Sequence, residues 1–231
     1  MVGTTGHTVK AFDEELGQLR ALISEMGGLA EQAINQSMKA LVRRDNDAAM
    51  KVVEQDHRLD ELEMEVERLA VRLIALRAPM ADDLREVVAA MKISGVVERI
   101  GDYAKNIAKR VPQFAEAKDI GPLAILPEMG KMASEMVRNA LDAFAARSPE
   151  QAKAVVERDQ ALDTFYNSVF RALLTYMMEN PHNITPCAHL LFMAKNLERV
   201  GDHATNIGEM VYFAATGDHL GERPKVGADE D

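Results

Sequence analysis

Two stretches of this chain repeat one another about 100 residues apart, and that periodicity limits the possible folds more than any other feature. Val52-Val53-Glu54-Gln55-Asp56 matches Val155-Val156-Glu157-Arg158-Asp159 at an offset of 103 residues. At the same offset Leu59-Asp60 meets Leu162-Asp163, and Met26-Gly27 meets Met129-Gly130. Further on the offset falls to 100. There Glu98-Arg99-Ile100-Gly101-Asp102 meets Glu198-Arg199-Val200-Gly201-Asp202, and Asn106-Ile107 meets Asn206-Ile207. The three-residue change falls around Pro79 and Pro181, in turns, where insertions are absorbed. Self-similarity of this kind marks a duplicated structural unit.

Helical periodicity fills each copy. A first amphipathic stretch runs from about Phe12 to Arg44, where Arg43-Arg44-Asp45-Asn46-Asp47 reads as a basic last turn followed by a new N-cap. A second runs from about Asp47 to Leu76. Within it Leu59, Leu62, Val66, Leu69, Leu73 and Leu76 recur at steps of three and four, the seam of a helix packed along its length. A third runs from about Ala81 to Arg110. The weakest segment, Glu116 to Pro127, carries Gly121, Pro122 and Pro127 and separates the halves. Helix four then covers about Glu128 to Ala146. Ser148 serves as N-cap and Pro149 as first-turn residue of helix five, which runs to about Met178. Helix six spans about Pro186 to Thr216. The expectation is an all-α fold of two tandem, pseudo-symmetric three-helix bundles, six helices in total: residues 10–113, residues 119–217, and a loose tail over 218–231.

Composition agrees and excludes several classes. Of 231 residues 47% are hydrophobic but only 5% aromatic, with no Trp. Ala, Leu, Val and Met supply the apolar content, which favours helices over strands. Twenty-seven basic residues against 37 acidic give a net charge of −10, which opposes general nucleic-acid or anionic-membrane binding. The single Cys187 permits neither an intrachain disulfide nor a thiolate zinc site. No run of about 18 apolar residues is present, and the N-terminus lacks the basic and apolar regions of a signal peptide. The expected location is the cytoplasm.

Four segments have the form acid-x-x-x-Asp: Asp56/Asp60, Glu98/Asp102, Asp159/Asp163 and Glu198/Asp202. Composition alone would give about two or three such matches, so their number decides little. Their placement carries more, because each half holds one pair on its second helix and one on its third. Like charges four residues apart stand one above the other and cost a few tenths of a kcal/mol. At about 100° per residue, Glu98, Asp102 and Asn106 form a stripe opposite Val96, Ile100, Ala104 and Ile107, which should face outward. Glu63 and Glu67 prolong the stripe of Asp56 and Asp60. Antiparallel neighbours could bring two stripes together and create a patch of carboxylates suited to a hard cation. Gly101 and Gly201, inside the motifs, cost about 1 kcal/mol each relative to Ala. Close approach of a neighbouring helix or a ligand would justify that cost. A solvated acidic face offset by Arg99, Lys105 and Lys109 is the alternative. Four matched pairs with glycine in register favour the metal patch.

The two runs Glu98-Arg-Ile-Gly-Asp102-Tyr-Ala-Lys-Asn106-Ile and Glu198-Arg-Val-Gly-Asp202-His-Ala-Thr-Asn206-Ile resemble the signature of the PhoU family of phosphate-specific transport accessory proteins. Asp83-Leu-Arg85, Ala90-Met-Lys-Ile-Ser-Gly95 and Asn196-Leu-Glu-Arg add to the likeness, which extends from about residue 10 to 217. The resemblance implies two similar three-helix bundles and a cytoplasmic negative regulator of phosphate-starvation signalling, not a catalyst. It implies partners: the ATPase subunit of a phosphate ABC transporter and a sensor histidine kinase, with a possible homodimer. It also implies metal at the acid-x-x-x-Asp motifs, iron or zinc, with magnesium or manganese as alternatives. Residue by residue this carries onto Asp56, Asp60, Glu98, Asp102, Asp159, Asp163, Glu198 and Asp202. The halves are unequal, since Tyr103 stands where His203 does and Lys109 where Glu209 does.

Other chemistries have less to stand on. A ferritin-like di-metal enzyme needs inward Glu-x-x-His on two helices. Glu54/His57 and Glu179/His182 have the spacing, but the repeat equivalent of the first lacks His and Pro181 breaks the second, so His57 reads as a surface residue. Cys187, near a helix start with His189 close by, could be somewhat acidified but reads as packing. No Gly-rich phosphate loop occurs. The 14 Met residues read mostly as core filling, with a share available to an adaptable partner surface. A metal-free helical adaptor, docking on basic surfaces through the same carboxylates, is the competing regulatory reading.

Overall fold

The structure, a computed structural model, describes residues 4–114 and 121–221, with residues 4–10 as backbone only. Its helices are α1 (Thr4–Arg43), α2 (Asn46–Gln55), α3 (His57–Arg77), α4 (Asp82–Ala108), α5 (Leu126–Ala146), α6 (Pro149–Glu179) and α7 (Ile184–Thr216). Short 3-10 turns lie at Val111–Phe114, Gly121–Ile125 and Pro181–Asn183, and no strand occurs among the described residues. Helices α2 and α3 form one rod with a single tightened turn. Asp56 keeps helical angles (φ −56°, ψ −34°), and its carbonyl accepts the Leu59 N–H at 2.9 Å. Counted as rods, six helices make two three-helix bundles, the expected all-α architecture.

The boundaries differ from the sequence reading where the local signal is weak. Helix α1 begins at Thr4 rather than near Phe12, because Phe12 is only where apolar periodicity starts. Helix α5 begins at Leu126 and takes Pro127 into its first turn, and α7 begins at Ile184 with Pro186 inside it. Proline is tolerated there because first-turn N–H groups have no intrahelical acceptor. The second stretch, read as continuous, is interrupted at Asp56. The corners of the two copies agree closely. Arg44 and Arg147 close α1 and α5 in left-handed conformations (φ 55° and 51°). Asp45 Oδ1 then accepts the Ala48 N–H at 2.9 Å, and Ser148 Oγ accepts the Gln151 N–H at 3.2 Å. At the other end Gly217 closes α7 at φ 83°, its N–H reaching Phe213 O at 2.8 Å. Residues 115–120, part of the segment read as the boundary between halves, lie outside the described residues, as do residues 222–231 of the tail.

The bundles lie side by side rather than as beads on a linker. Helix α1 packs on α4 and α5, and α7 packs on α4, α5 and α6. Thus α1, α4, α7 and α5 close a central set of four, with α2/α3 and α6 flanking it. One continuous apolar core runs through both halves, from Leu19, Ile23 and Ile34 to Val137, Leu190 and Ile207. The contact between halves is isologous within one chain, as in a two-fold dimer. A Cβ on Gly27 would stand 2.2 Å from Leu141 Cδ1, and one on Gly130 would stand 2.6 Å from Met38 Cγ. Met38 and Leu141 are themselves repeat equivalents, so the duplicated Met-Gly pairs exist to let α1 and α5 cross closely. Around them Asn35 Nδ2 donates to Ser134 Oγ at 3.2 Å while Arg138 pairs with Glu31 at 2.6 Å, the same two positions used twice with different chemistry. Tyr103 and His203 meet edge-on, ring centroids 5.2 Å apart, at the pseudo-axis between α4 and α7. Among the described residues no helix is long and apolar enough to cross a membrane.

Candidate functional site in two acidic grooves

Each bundle forms a groove where its second rod lies along its third helix, and a glycine sets the depth. A Cβ on Gly101 would stand 2.3 Å from Leu59 Cδ1 and 3.3 Å from Asp56 Oδ1. On Gly201 it would stand 2.3 Å from Leu162 Cδ2 and 3.5 Å from Asp159 Oδ1. The glycines in the motifs therefore serve close approach of a neighbouring helix. That approach brings each acid pair on the third helix against the pair on the second rod. Asp56 and Asp159 are each only 8% exposed, and Asp60, Glu98, Asp102, Asp163, Glu198 and Asp202 are half-buried. The stripe does not face outward as the helical-wheel count suggested. A wheel drawn for one helix omits the rod that covers its polar side.

In the first groove the carboxylates repel. Glu98 is pushed up to about 7 by burial first and then by the charges of Asp102, Glu63 and Asp60. Glu63, seen in the sequence only as a prolongation of the stripe, is thus a member of the group. Its own carboxyl is raised by burial, with Glu67 and Asp60 adding to the shift. At the other end Lys105 supplies a cation, its Nζ lying 2.5 Å from Asp102 Oδ1 and also against Asp56 Oδ2. Burial opposes the Lys105 charge, but the hydrogen bonds to Asp102 and Asp56 outweigh it and hold its pKa above the ordinary lysine value.

The second groove distributes charge differently. The counterpart of Lys105 is Thr205, whose hydroxyl donates to Gly201 O at 3.0 Å. Its cation is Lys195, 2.5 Å from Glu198 Oε1, at the position where the first half has Gly95. Burial raises the Glu198 pKa, the Lys195 hydrogen bond lowers it, and Asp202 and Asp163 raise it again, leaving it above the usual range. Glu198 Oε2 is buried without a hydrogen-bond partner. In place of Glu63 stands Tyr166, with Lys195 Nζ 5.3 Å from its ring centre. Both lysines were legible as i,i+3 partners of an acid; only the fold shows that Lys105 also reaches Asp56, 49 residues away.

The residues fit a hard cation in kind. The donors are all oxygen, and the Glu98 repulsion and the orphaned Glu198 Oε2 are features a positive charge would relieve. As the side chains stand, no three His, Cys, Asp or Glu among the described residues form a ready metal group. Lys105 from inside the first groove and Lys195 at the rim of the second meanwhile neutralise one end of each cluster.

The remaining candidates fall as the sequence suggested, with one correction. Glu54, His57, Glu179 and His182 are exposed, not turned inward as a di-metal centre requires. Cys187 is fully buried and burial pushes its thiol up, so the helix start does not acidify it. Sequence reasoning missed Glu86, a buried carboxylate held by Arg20 Nε at 2.5 Å and by Arg147. It ties α1 and α4 to the end of α5, and no spacing within one helix could have announced it.

The PhoU domain model matches residues 23–111 and 126–211, one match for each half. A relative in Zymomonas mobilis, described as a phosphate-specific transport system accessory protein PhoU homolog, is 60% identical over 95% of this chain and 93% of its own length. Two crystal structures share the fold. PhoU from Pseudomonas aeruginosa aligns with a TM-score of 0.85 and 35% identity over 90% of this chain and all of that one. The phosphate transport system regulatory protein PhoU from Streptococcus pneumoniae aligns with a TM-score of 0.84 and 27% identity over 91% and 100%. With both halves matched in order and the acid pairs at equivalent places in each groove, the chain belongs to the PhoU family, whose role in phosphate regulation is regulatory rather than catalytic.

Proposed function

We propose that this chain is a cytoplasmic negative regulator of phosphate-starvation signalling. It couples the ATPase subunit of a phosphate ABC transporter to a sensor histidine kinase, and it docks through its acidic grooves as a helical adaptor. The observation that carries the docking reading is Lys105. With its ammonium between Asp56 and Asp102, the first groove is held together by the protein's own charge, and the outer carboxylates are left to meet basic groups on a partner. Electrostatic complementarity of this kind governs encounter and choice of partner more than raw affinity.

Deletion from the host is the direct test. Alkaline phosphatase expression is expected to rise in phosphate-rich medium, and expression that stays repressed overturns the regulatory reading. Metal binding is the second reading, favoured by Glu198 Oε2 and by the Glu98 repulsion. Asp60, Glu98 and Asp102 would hold an ion in the first groove, and Asp163, Glu198 and Asp202 in the second. Metal analysis of untagged protein purified without chelator separates the two. Bound iron, zinc, manganese or magnesium lost on Asp102→Asn and Asp202→Asn, together with lost regulation, would favour the metal; metal-free protein with full regulation would favour the adaptor.

A further inference from the structure

The two grooves stop being equivalent just beyond their acid pairs. Where the first half has Glu63 and Glu67 on α3 and Lys92 on α4, the second has Tyr166 and Phe170 on α6 and Phe192 on α7. Lys195 against Tyr166 pins α6 to α7, and Phe170 follows one turn further along α6; Phe192, half a turn round α7 from Gly201, lies on the other side, against Arg110. The rings of Tyr166 and Phe170 are 6.4 Å apart, and Lys195 joins Tyr166 to Glu198. Phe170, Leu174 and Phe192 remain 37–40% exposed, and Phe192 carries Arg110 on one face at 3.4 Å. Phe170, Leu174 and Met178, four residues apart, form one continuous apolar line down α6, and Met178 at its end is 87% exposed. This face is not an inheritance of the repeat, because the equivalents of Tyr166 and Phe170 are Glu63 and Glu67.

We infer that the groove between α6 and α7 is a docking surface for an amphipathic, basic helix of a partner protein. Its apolar side chains would lie on Phe170, Leu174 and Met178, and its basic residues would reach Asp163, Glu198 and Asp202. Charge complementarity sets the occupant: Asp163, Glu198 and Asp202 cluster at the acidic end, with Lys195 on Glu198, in a chain of net charge −10. A helix laid into an apolar groove and anchored at steps of three and four residues is a recurrent mode of recognition, and exposed aromatics are the side chains that most often dominate such contacts. The inference rests on the adaptor reading and names the half and the partner chemistry through which that adaptor works.

The test uses the full chain and a fluorescent helical peptide of roughly 18 residues, about five turns, with Leu and Phe on one face and lysines toward one end. A second peptide carries Glu for each Lys. Proteins compared are the wild type, Phe170→Ser/Leu174→Ser, and the first-bundle control Glu67→Gln/Val71→Ser. All four positions are exposed, and circular dichroism checks the fold. The lysine peptide is expected to bind the wild type and the control equally, and to lose about tenfold or more on the second-bundle variant, as on exchange of Lys for Glu. Several results overturn the inference: no binding of the lysine peptide, equal binding to both variants, or equal binding of the glutamate peptide. So does a wild-type dimer that Phe170→Ser/Leu174→Ser turns into a monomer, which would make the occupant a second copy. The reporter strain keeps the two readings apart. Derepression on deletion with a failed peptide removes only this docking surface, whereas a deletion strain that stays repressed removes the regulatory reading and leaves the peptide result to decide the groove.

Discussion

The first and second bundles share one frame but solve the problem of crowded carboxylates in different ways. In the first, Asp60, Glu63, Glu98 and Asp102 repel one another, and Lys105 from inside the groove holds the Asp56 end. In the second, Thr205 replaces that lysine, Lys195 shields Glu198 from the rim, and aromatics take the places of two carboxylates. Packing differs as well. A Cβ on Gly208 would come 2.9 Å from Ala152 O, so α6 lies closer on α7 than α2 lies on α4, where Ala108 stands at the equivalent position. Helix α6 runs unbroken through Asp159, while the first rod tightens at Asp56. Duplication therefore preserved the glycines that set groove depth and freed the lining to diverge.

The largest expected effect is on Lys105. Lys105→Met leaves a buried carboxylate at Asp56 beside Asp102, which should destabilise the protein by about 3 kcal/mol, the lower end for a broken buried pair. Lys195→Met should cost about 1 kcal/mol or less, because that side chain is 43% exposed. Urea midpoints of the two variants measure the comparison, and equal losses would mean that the grooves are electrostatically alike.

Gly208→Ala comes next. The clash with a backbone oxygen should cost about 1–3 kcal/mol, partly offset by about 1 kcal/mol of helix propensity. Ala108→Gly in the first bundle should cost about 1 kcal/mol from propensity with no relief of strain. If Gly208→Ala proved stabilising, the second rod would not be closer than the first.

The smallest effect is a pH dependence. The folded pKa of Glu98, about 7 against an ordinary 4.5, means that between these values the folded protein binds a proton the unfolded chain does not. Stability then falls as pH rises through that window. Glu98→Gln should flatten thermal unfolding between about pH 4.5 and 7 and raise Tm modestly at neutral pH. An unchanged profile would show that the first groove relaxes its own repulsion.

How much of this was legible in the sequence depended on whether the cause was local. The corners at Asp45 and Ser148 were readable because an N-cap acts across three residues. Gly101 and Gly201 pointed to close approach because glycine inside a helix demands a reason. The outward-facing stripe was a misreading, since one helix's wheel cannot contain its neighbour. The start of α5 at Leu126 was hidden because proline marks both the end of one helix and the first turn of the next. Glu86, held by Arg20 and Arg147 from two other helices, left no periodic trace.

The sequence by itself determined the duplication, the helical class and the set of acid pairs, because repeat offset, periodicity and composition are properties of the chain alone. Only the tertiary structure decided that the halves share one core through mirrored Gly27–Leu141 and Gly130–Met38 contacts. It also decided that the pairs face each other in grooves and that Lys105 closes one of them. Those outcomes depend on which surfaces meet across 49 to 114 residues of chain, and sterics and electrostatics fix that choice only when all the helices are packed.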